Sequence, residues 1–135
     1  MFKTPTFEQI RDTMFEKELL RQLDWKIDGL RPYVVPADPS LLEQITHDDI
    51  QRGITIAANG FYGAQGRSLR LSLTDPELNR KIEAFDFEGQ RITNFEMESS
   101  ALAGLSALMR HRALTVCCII AGRVDKNMNT DYKTS

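Results

Sequence analysis

The run Ala113-Leu-Thr-Val-Cys-Cys-Ile-Ile-Ala121 contains no charged residue. A short, continuously apolar run is expected of a strand covered on both faces, as in a parallel sheet lying between helices. A chain that carries one needs helices for both sides of its sheet, and the hydrophobic pattern supplies them. Phe7 to Trp25 reads as an amphipathic helix, with Ile10, Met14, Leu19, Leu20 and Leu23 on its apolar stripe and Thr4 or Thr6 to cap it. Asp38 or Ser40 starts a short helix through Leu41, Leu42 and Ile45. Asp75-Pro76 opens another to Phe85, with Leu78, Ile82 and Phe85 aligned. Glu98 to His111 carries Leu102, Leu105, Leu108 and Met109 on one face. Pro32 to Val35, Gly53 to Ala58 and Arg91 to Phe95 are the remaining strand candidates. Helix and strand alternate along the chain. The expected fold is α/β with a central mixed, mainly parallel sheet, in a single domain over residues 1–135.

The charge balance sets the class of partner. A formal net charge of -2 leaves no electrostatic footprint for nucleic acid or an anionic membrane. No apolar run approaches the roughly 20 residues that span a bilayer, and the stretch after Met1 has no signal-peptide pattern. A cytoplasmic protein is the expectation. Cys117 and Cys118 are adjacent in the apolar run and would point to opposite faces of a strand. They are expected to be buried small hydrophobes rather than a redox or metal pair. His47 is expected in a surface loop. His111 falls at a helix C-terminus, where a cation is favoured.

The polar residues that could carry chemistry gather where the strands end. Asn59 to Arg67 follows the Gly53–Ala58 strand and holds three glycines, Phe61, Tyr62, Gln65 and Arg67. Glycines let backbone approach a ligand. An aromatic can stack on a planar ring, and Gln and Arg can read a polar edge. An ordinary glycine-rich surface turn explains the same residues equally well. Glu96-Met97-Glu98 follows the next strand. Two ionised carboxylates so spaced can accept from the hydroxyls of a cis-diol, with the methionine offering an apolar face to a sugar. Thr93-x-x-Glu96 also fits a capping box, which would make Glu96 a helix-start residue only. Gly122-Arg123 closes the last apolar run. In α/β sheets ligands bind beyond the carboxyl ends of strands, and three segments meet that condition.

Phe61-Tyr-Gly-Ala-Gln-Gly-Arg67, Phe95-Glu-Met-Glu-Ser99 and Ile119-Ile-Ala-Gly-Arg123 together resemble the nucleoside phosphorylase superfamily, and within it the uridine phosphorylase branch. The resemblance implies that fold's three-layer architecture. It also implies roles. Phe61 would stack near base and sugar, while Gln65 and Arg67 would hydrogen-bond the polar edge of uracil. Glu98, with Glu96, would hold the ribose hydroxyls, and Met97 would pack on the ribose. Ile120 and Ala121 would line the base pocket, with Arg123 supporting Gln65 and Arg67. The implied reaction is phosphorolysis of uridine or a related pyrimidine nucleoside, with inorganic phosphate as co-substrate and no metal or organic cofactor. Arg67, Gln65 and Glu98 would be its catalytic groups. The family's upstream phosphate-binding loops and histidine have no counterpart here. The chain is therefore expected to be the C-terminal part of the fold, a homo-oligomer (dimer or trimer of dimers) or one complemented by the missing N-terminal half, and to show little or no phosphorolysis alone. The alternatives are a non-catalytic member, and a purine nucleoside phosphorylase or nucleosidase, which Asp125 leaves open.

Overall fold

Residues 5–45 and 47–120 are described by a computed structural model. Their elements are α1 (Phe7–Ile10), α2 (Thr13–Gln22), α3 (Pro39–Ile45), β1 (Ile54–Ala57), a 3-10 turn (Gly63–Gln65), α4 (Leu78–Ala84), β2 (Ile92–Glu96) and α5 (Ser99–Leu108). The fold is α/β, and β1 and β2 pair in parallel with α4 between them in sequence.

The helix expected over Phe7 to Trp25 is two helices. Arg11 has extended backbone, and the Asp12 carboxylate accepts from Phe15 N–H at 2.9 Å as the cap of α2. A short acidic side chain gains more as a cap than inside a helix. Pro32 to Val35, expected as a strand, pairs with no strand. It is strapped across the helices instead. Val34 N–H donates to Glu16 at 3.0 Å, Asp12 N–H donates to Val34 C=O at 2.9 Å, and Tyr33 O–H donates to Ser100 C=O at 3.0 Å. Glu16 is only 2% exposed and is paired with the Arg11 guanidinium. That pairing, opposed by burial and helped by Val34 N–H, holds the Glu16 carboxyl below its usual range.

Asp38 caps α3, accepting from Leu41 N–H at 2.9 Å. Asp75 instead forms a turn, accepting from Glu77 N–H at 3.0 Å and from the Lys81 ammonium at 2.7 Å. The fourth helix begins at Leu78, later than the expected Asp75, with Glu77 at its N-cap and no side-chain cap bond.

The sheet contains one irregularity that sets everything after it. Ile54 pairs with Ile92, but Thr55 pairs with Asn94 and Ile56 with Phe95, so Thr93 is an extra residue on β2. Such a bulge shifts the side-chain phase by one. Ile92 and Phe95, three apart, both reach the core beside Ile54 and Ile56. On the other phase, Thr55 O–H donates to Asn94 Oδ1 at 2.7 Å. Gly53 makes room for the bulge, because a Cβ there would run into the Thr93 side chain.

The core is small. Phe15, Leu19 and Leu23 of α2 and its C-terminal end meet Ile82 and Phe85 of α4 and its end, with Val34, Trp25 and the sheet residues packed around them. The Phe15 ring lies 5.5 Å from Phe85 and 5.4 Å from Phe87, within the range of favourable aromatic pairs. α5 lies against α1 and β1. It ends with Arg110 in the left-handed region, φ 62°. Arg110 N–H reaches Ala107 C=O at 3.2 Å and His111 N–H reaches Ser106 C=O at 2.8 Å. This is a Schellman close with arginine where glycine is usual. The helix expected to run to His111 thus ends at Leu108, and His111 lies just past it.

The apolar run does not behave as expected. Residues 113–120 form no strand, and Cys117 and Cys118 are both exposed rather than buried. No third strand lies beside them among the described residues, so the run has no ladder to join. Ala121 lies outside the described residues.

Candidate functional site

The parallel register brings two of the three expected segments to one edge. Ala57 pairs with Glu96, and Ala58 N–H donates to Glu96 C=O at 2.8 Å. The loop from Asn59 and the turn through Glu98 therefore leave the sheet side by side at its carboxyl edge. Of the third segment, Ala121 and Arg123 lie outside the described residues, and Ile120 is half exposed.

The loop is a preformed polar cluster. Gln65 closes the 3-10 turn and is 4% exposed, which is unusual for an amide. The Arg67 guanidinium donates from Nη1 to Gln65 Oε1 at 3.0 Å and to the Phe61 carbonyl. Its carbon lies 3.6 Å over the Phe61 ring centre, in cation–π contact. Phe61 and Tyr62 meet edge to face at 5.4 Å. Gly66 follows with φ 75°, and a Cβ there would strike Asn79. Asn79 Nδ2 donates to Gln65 C=O at 3.3 Å and ties the loop to α4. Nothing in the sequence pattern marked Asn79 for this role.

The turn divides the work of its carboxylates. Glu96 accepts from Glu98 N–H at 2.8 Å, Ser99 N–H at 2.7 Å and the Ser99 hydroxyl. Burial raises its pKa, but the Ser99 hydroxyl and the N–H groups of Glu98, Ser99 and Met97 outweigh burial, so its carboxyl lies below the usual range. Glu96 therefore does what the capping reading expected, yet Thr93 is not its partner. Thr93 is the bulge residue, and its hydroxyl faces Ile54 C=O at 3.4 Å. Ser99, three residues on, donates both its N–H and its hydroxyl to the Glu96 carboxylate. Glu98 is exposed beside exposed Met97, and its Oε2 accepts from Met97 N–H at 3.2 Å. Of the two acids, Glu98 is the one facing solvent.

A concavity of about 280 Å³ lies between α5 and the 35–39 segment, with Asp38, Ser106 and His111 among its polar lining. One of about 60 Å³ lies under the loop against Gly63, Gly66 and Asp75. Gln65, Arg67 and Glu98 line neither. Among the described residues no group of three His, Cys, Asp or Glu side chains could hold a metal ion, and no helix is long and apolar enough to cross a membrane.

The family model described as Phosphorylase superfamily matches residues 9–134. The chain belongs to the phosphorylase superfamily. It is 37% identical over 78 residues to a protein named uridine phosphorylase from Thermococcus kodakarensis, a match over 53% of this chain and 25% of that protein. This superfamily member thus spans about a quarter of the length of the curated relative it matches. No solved structure matches the chain.

Proposed function

We propose that this chain carries base- and ribose-binding groups of a nucleoside phosphorylase that acts on uridine or a related pyrimidine nucleoside. The observation that supports it is the Phe61–Gln65–Arg67 cluster, held at the same sheet edge as Glu98 by the Ala57–Glu96 register. In this reading Arg67 turns its remaining N–H donors toward the polar edge of the base. Phosphate attacks the anomeric carbon as the bond to the base breaks. Positive charge grows on the ribose and negative charge on the departing uracil. A guanidinium and an amide fixed before reaction favour that charge where it develops, which is transition-state binding. Glu98 accepts from the ribose hydroxyls and holds the sugar in place, and Met97 packs on its apolar side. The relative named uridine phosphorylase lends the pyrimidine assignment its weight.

One observation favours a second reading, nucleoside binding without turnover. Glu96 is committed to the start of α5 by its hydrogen bonds, which leaves Glu98 as the exposed acid. Uracil release from uridine, followed with and without phosphate alongside equilibrium binding, separates the two. Phosphate-dependent release supports the enzyme. Uridine binding with no release supports the binder. Adenine release from adenosine in water alone rejects the pyrimidine assignment.

A further inference from the structure

The loop that carries Gln65 and Arg67 makes its own shape but does not place itself. Gln65 N–H and Arg67 N–H both donate to Tyr62 C=O at 3.0 Å, and Gly66 N–H donates to Gly63 C=O at 3.0 Å. These bonds join residues within the loop, so they fix its curl and not its seat on the domain. A seat is provided by α4. Leu78 and Ile82 of α4 turn toward the core, and Ile82 is buried there. Asn79 lies between them in sequence and is half-buried. Its amide donates to Gln65 C=O at 3.3 Å, across 14 residues of chain. Its side chain also occupies the space over Gly66, where a Cβ would strike it. Asparagine competes with helical hydrogen bonding and is disfavoured inside helices. Its place in α4 is explained by these contacts outside the helix.

We propose, resting on the base-reading role assigned above to Gln65 and Arg67, that Asn79 is a positioning residue of that cluster, setting through the Gln65 backbone and Gly66 where the Arg67 guanidinium lies over Phe61. Asn79 holds the Gln65 carbonyl. The Gln65 side-chain Oε1 accepts from Arg67 at 3.0 Å, and the guanidinium carbon lies 3.6 Å over the Phe61 ring. A loop that shifts on α4 carries all three side chains with it. A misplacement of about 1 Å is enough to cost a site up to ~100-fold.

Asn79→Asp keeps the shape of the side chain and removes the donor, so that a carboxylate faces the Gln65 carbonyl. An acid in the first turn of α4 suits the helix start, and the far-ultraviolet dichroism is expected to be unchanged. Asn79→Ala removes the donor without adding charge. Two readouts on the full chain test the assignment. The first is the nuclear magnetic resonance of the Arg67 Nε–H, which the face of the Phe61 ring shifts upfield in the parent. Both variants are expected to move it to the position of a solvent-exposed arginine. The second is uridine affinity by titration calorimetry, expected to fall about 10-fold in both. In the Arg67→Ala background Asn79→Asp is expected to cost less than it does in the parent, because a residue that acts through Arg67 has less to lose once Arg67 is gone. An Arg67 resonance at the parent's position in either variant overturns the proposal. So does a moved resonance with uridine affinity unchanged, or an Asn79→Asp loss of equal size in both backgrounds. Loss of the fold in both variants makes Asn79 a stability residue and overturns it as well. A parent chain that binds no uridine rejects the base-reading role instead, and the Arg67 resonance alone then decides whether Asn79 positions the cluster.

Discussion

Arg67 and Glu96 show how two charged residues at one sheet edge do different work. Arg67 is held on three sides, by the Phe61 ring, the Phe61 carbonyl and Gln65. In the proposed base-reading role, its loss removes a charge-assisted contact, about 1.5–3 kcal/mol. Arg67→Ala is therefore expected to weaken uridine binding about 10- to 100-fold in titration calorimetry, with adenosine unchanged and the far-ultraviolet circular dichroism preserved. Uridine affinity equal to the parent's would remove Arg67 from base reading. Glu96 works on the fold. Its folded pKa is lowered, so the stability it gives is present above its unfolded value near ~4.3 and is lost as pH falls through the lower folded value. Glu96→Gln is expected to cost about 1 kcal/mol in urea unfolding at pH 7, as a lost helix cap does. The gap between variant and parent should shrink as pH falls below about 4.3 and close only below the lowered folded value, where the parent carboxyl is itself neutral. A gap of the same size at both pH values would mean that the charge is irrelevant.

At the scale of elements, β2 and α5 are linked by the Thr93 bulge. The extra residue puts Ile92 and Phe95 together on the core and sends Glu96 to the start of α5. Gly53→Ala pushes a methyl into Thr93 and is expected to cost about 1–3 kcal/mol, the usual range for overpacking. Proton chemical shifts of Ile92 and Glu96 should move with it; an unperturbed spectrum at full stability would show that the bulge absorbs the methyl. The end of α5 offers the opposite change. Arg110 holds φ 62°, a conformation that is easy for glycine and costs other residues roughly 1 kcal/mol. Arg110→Gly is expected to raise the unfolding midpoint by a few degrees. A lower midpoint would mean that the arginine side chain contributes more than its backbone costs.

For the molecule as a whole, the buried apolar set among the described residues is Phe15, Leu19, Leu23, Ala58, Ile82 and Phe85. A core this size gives little margin, since whole domains are stable by only about 5–15 kcal/mol. Phe85 has no exposed surface, and its ring lies 5.5 Å from Phe15 in the core cluster. Phe85→Ala is expected to cost about 3–5 kcal/mol and to leave much of the chain unfolded at room temperature, seen as lost near-ultraviolet dichroism. Retention of the parent's urea midpoint would show that stability comes from elsewhere.

The sequence alone determined the α/β class, the strands at Gly53 to Ala58 and Arg91 to Phe95 with the helix between them, the loop and turn that end them, and the superfamily those residues resemble. These signals are local, because periodicity and turn chemistry act over a few residues. Three outcomes lay beyond it. The break at Asp12 and the strap at Pro32 to Val35 depend on Asp12 N–H and the Glu16 carboxylate meeting Val34 across the fold. The phase of Glu96 depends on which residue of β1 faces which residue of β2, and no local pattern encodes pairing between separate strands. The apolar run at 113–120 shows the same limit most plainly. Its composition asks for neighbours on both sides, but only tertiary structure decides whether neighbours are there, because burial is a property of the surroundings and not of the segment.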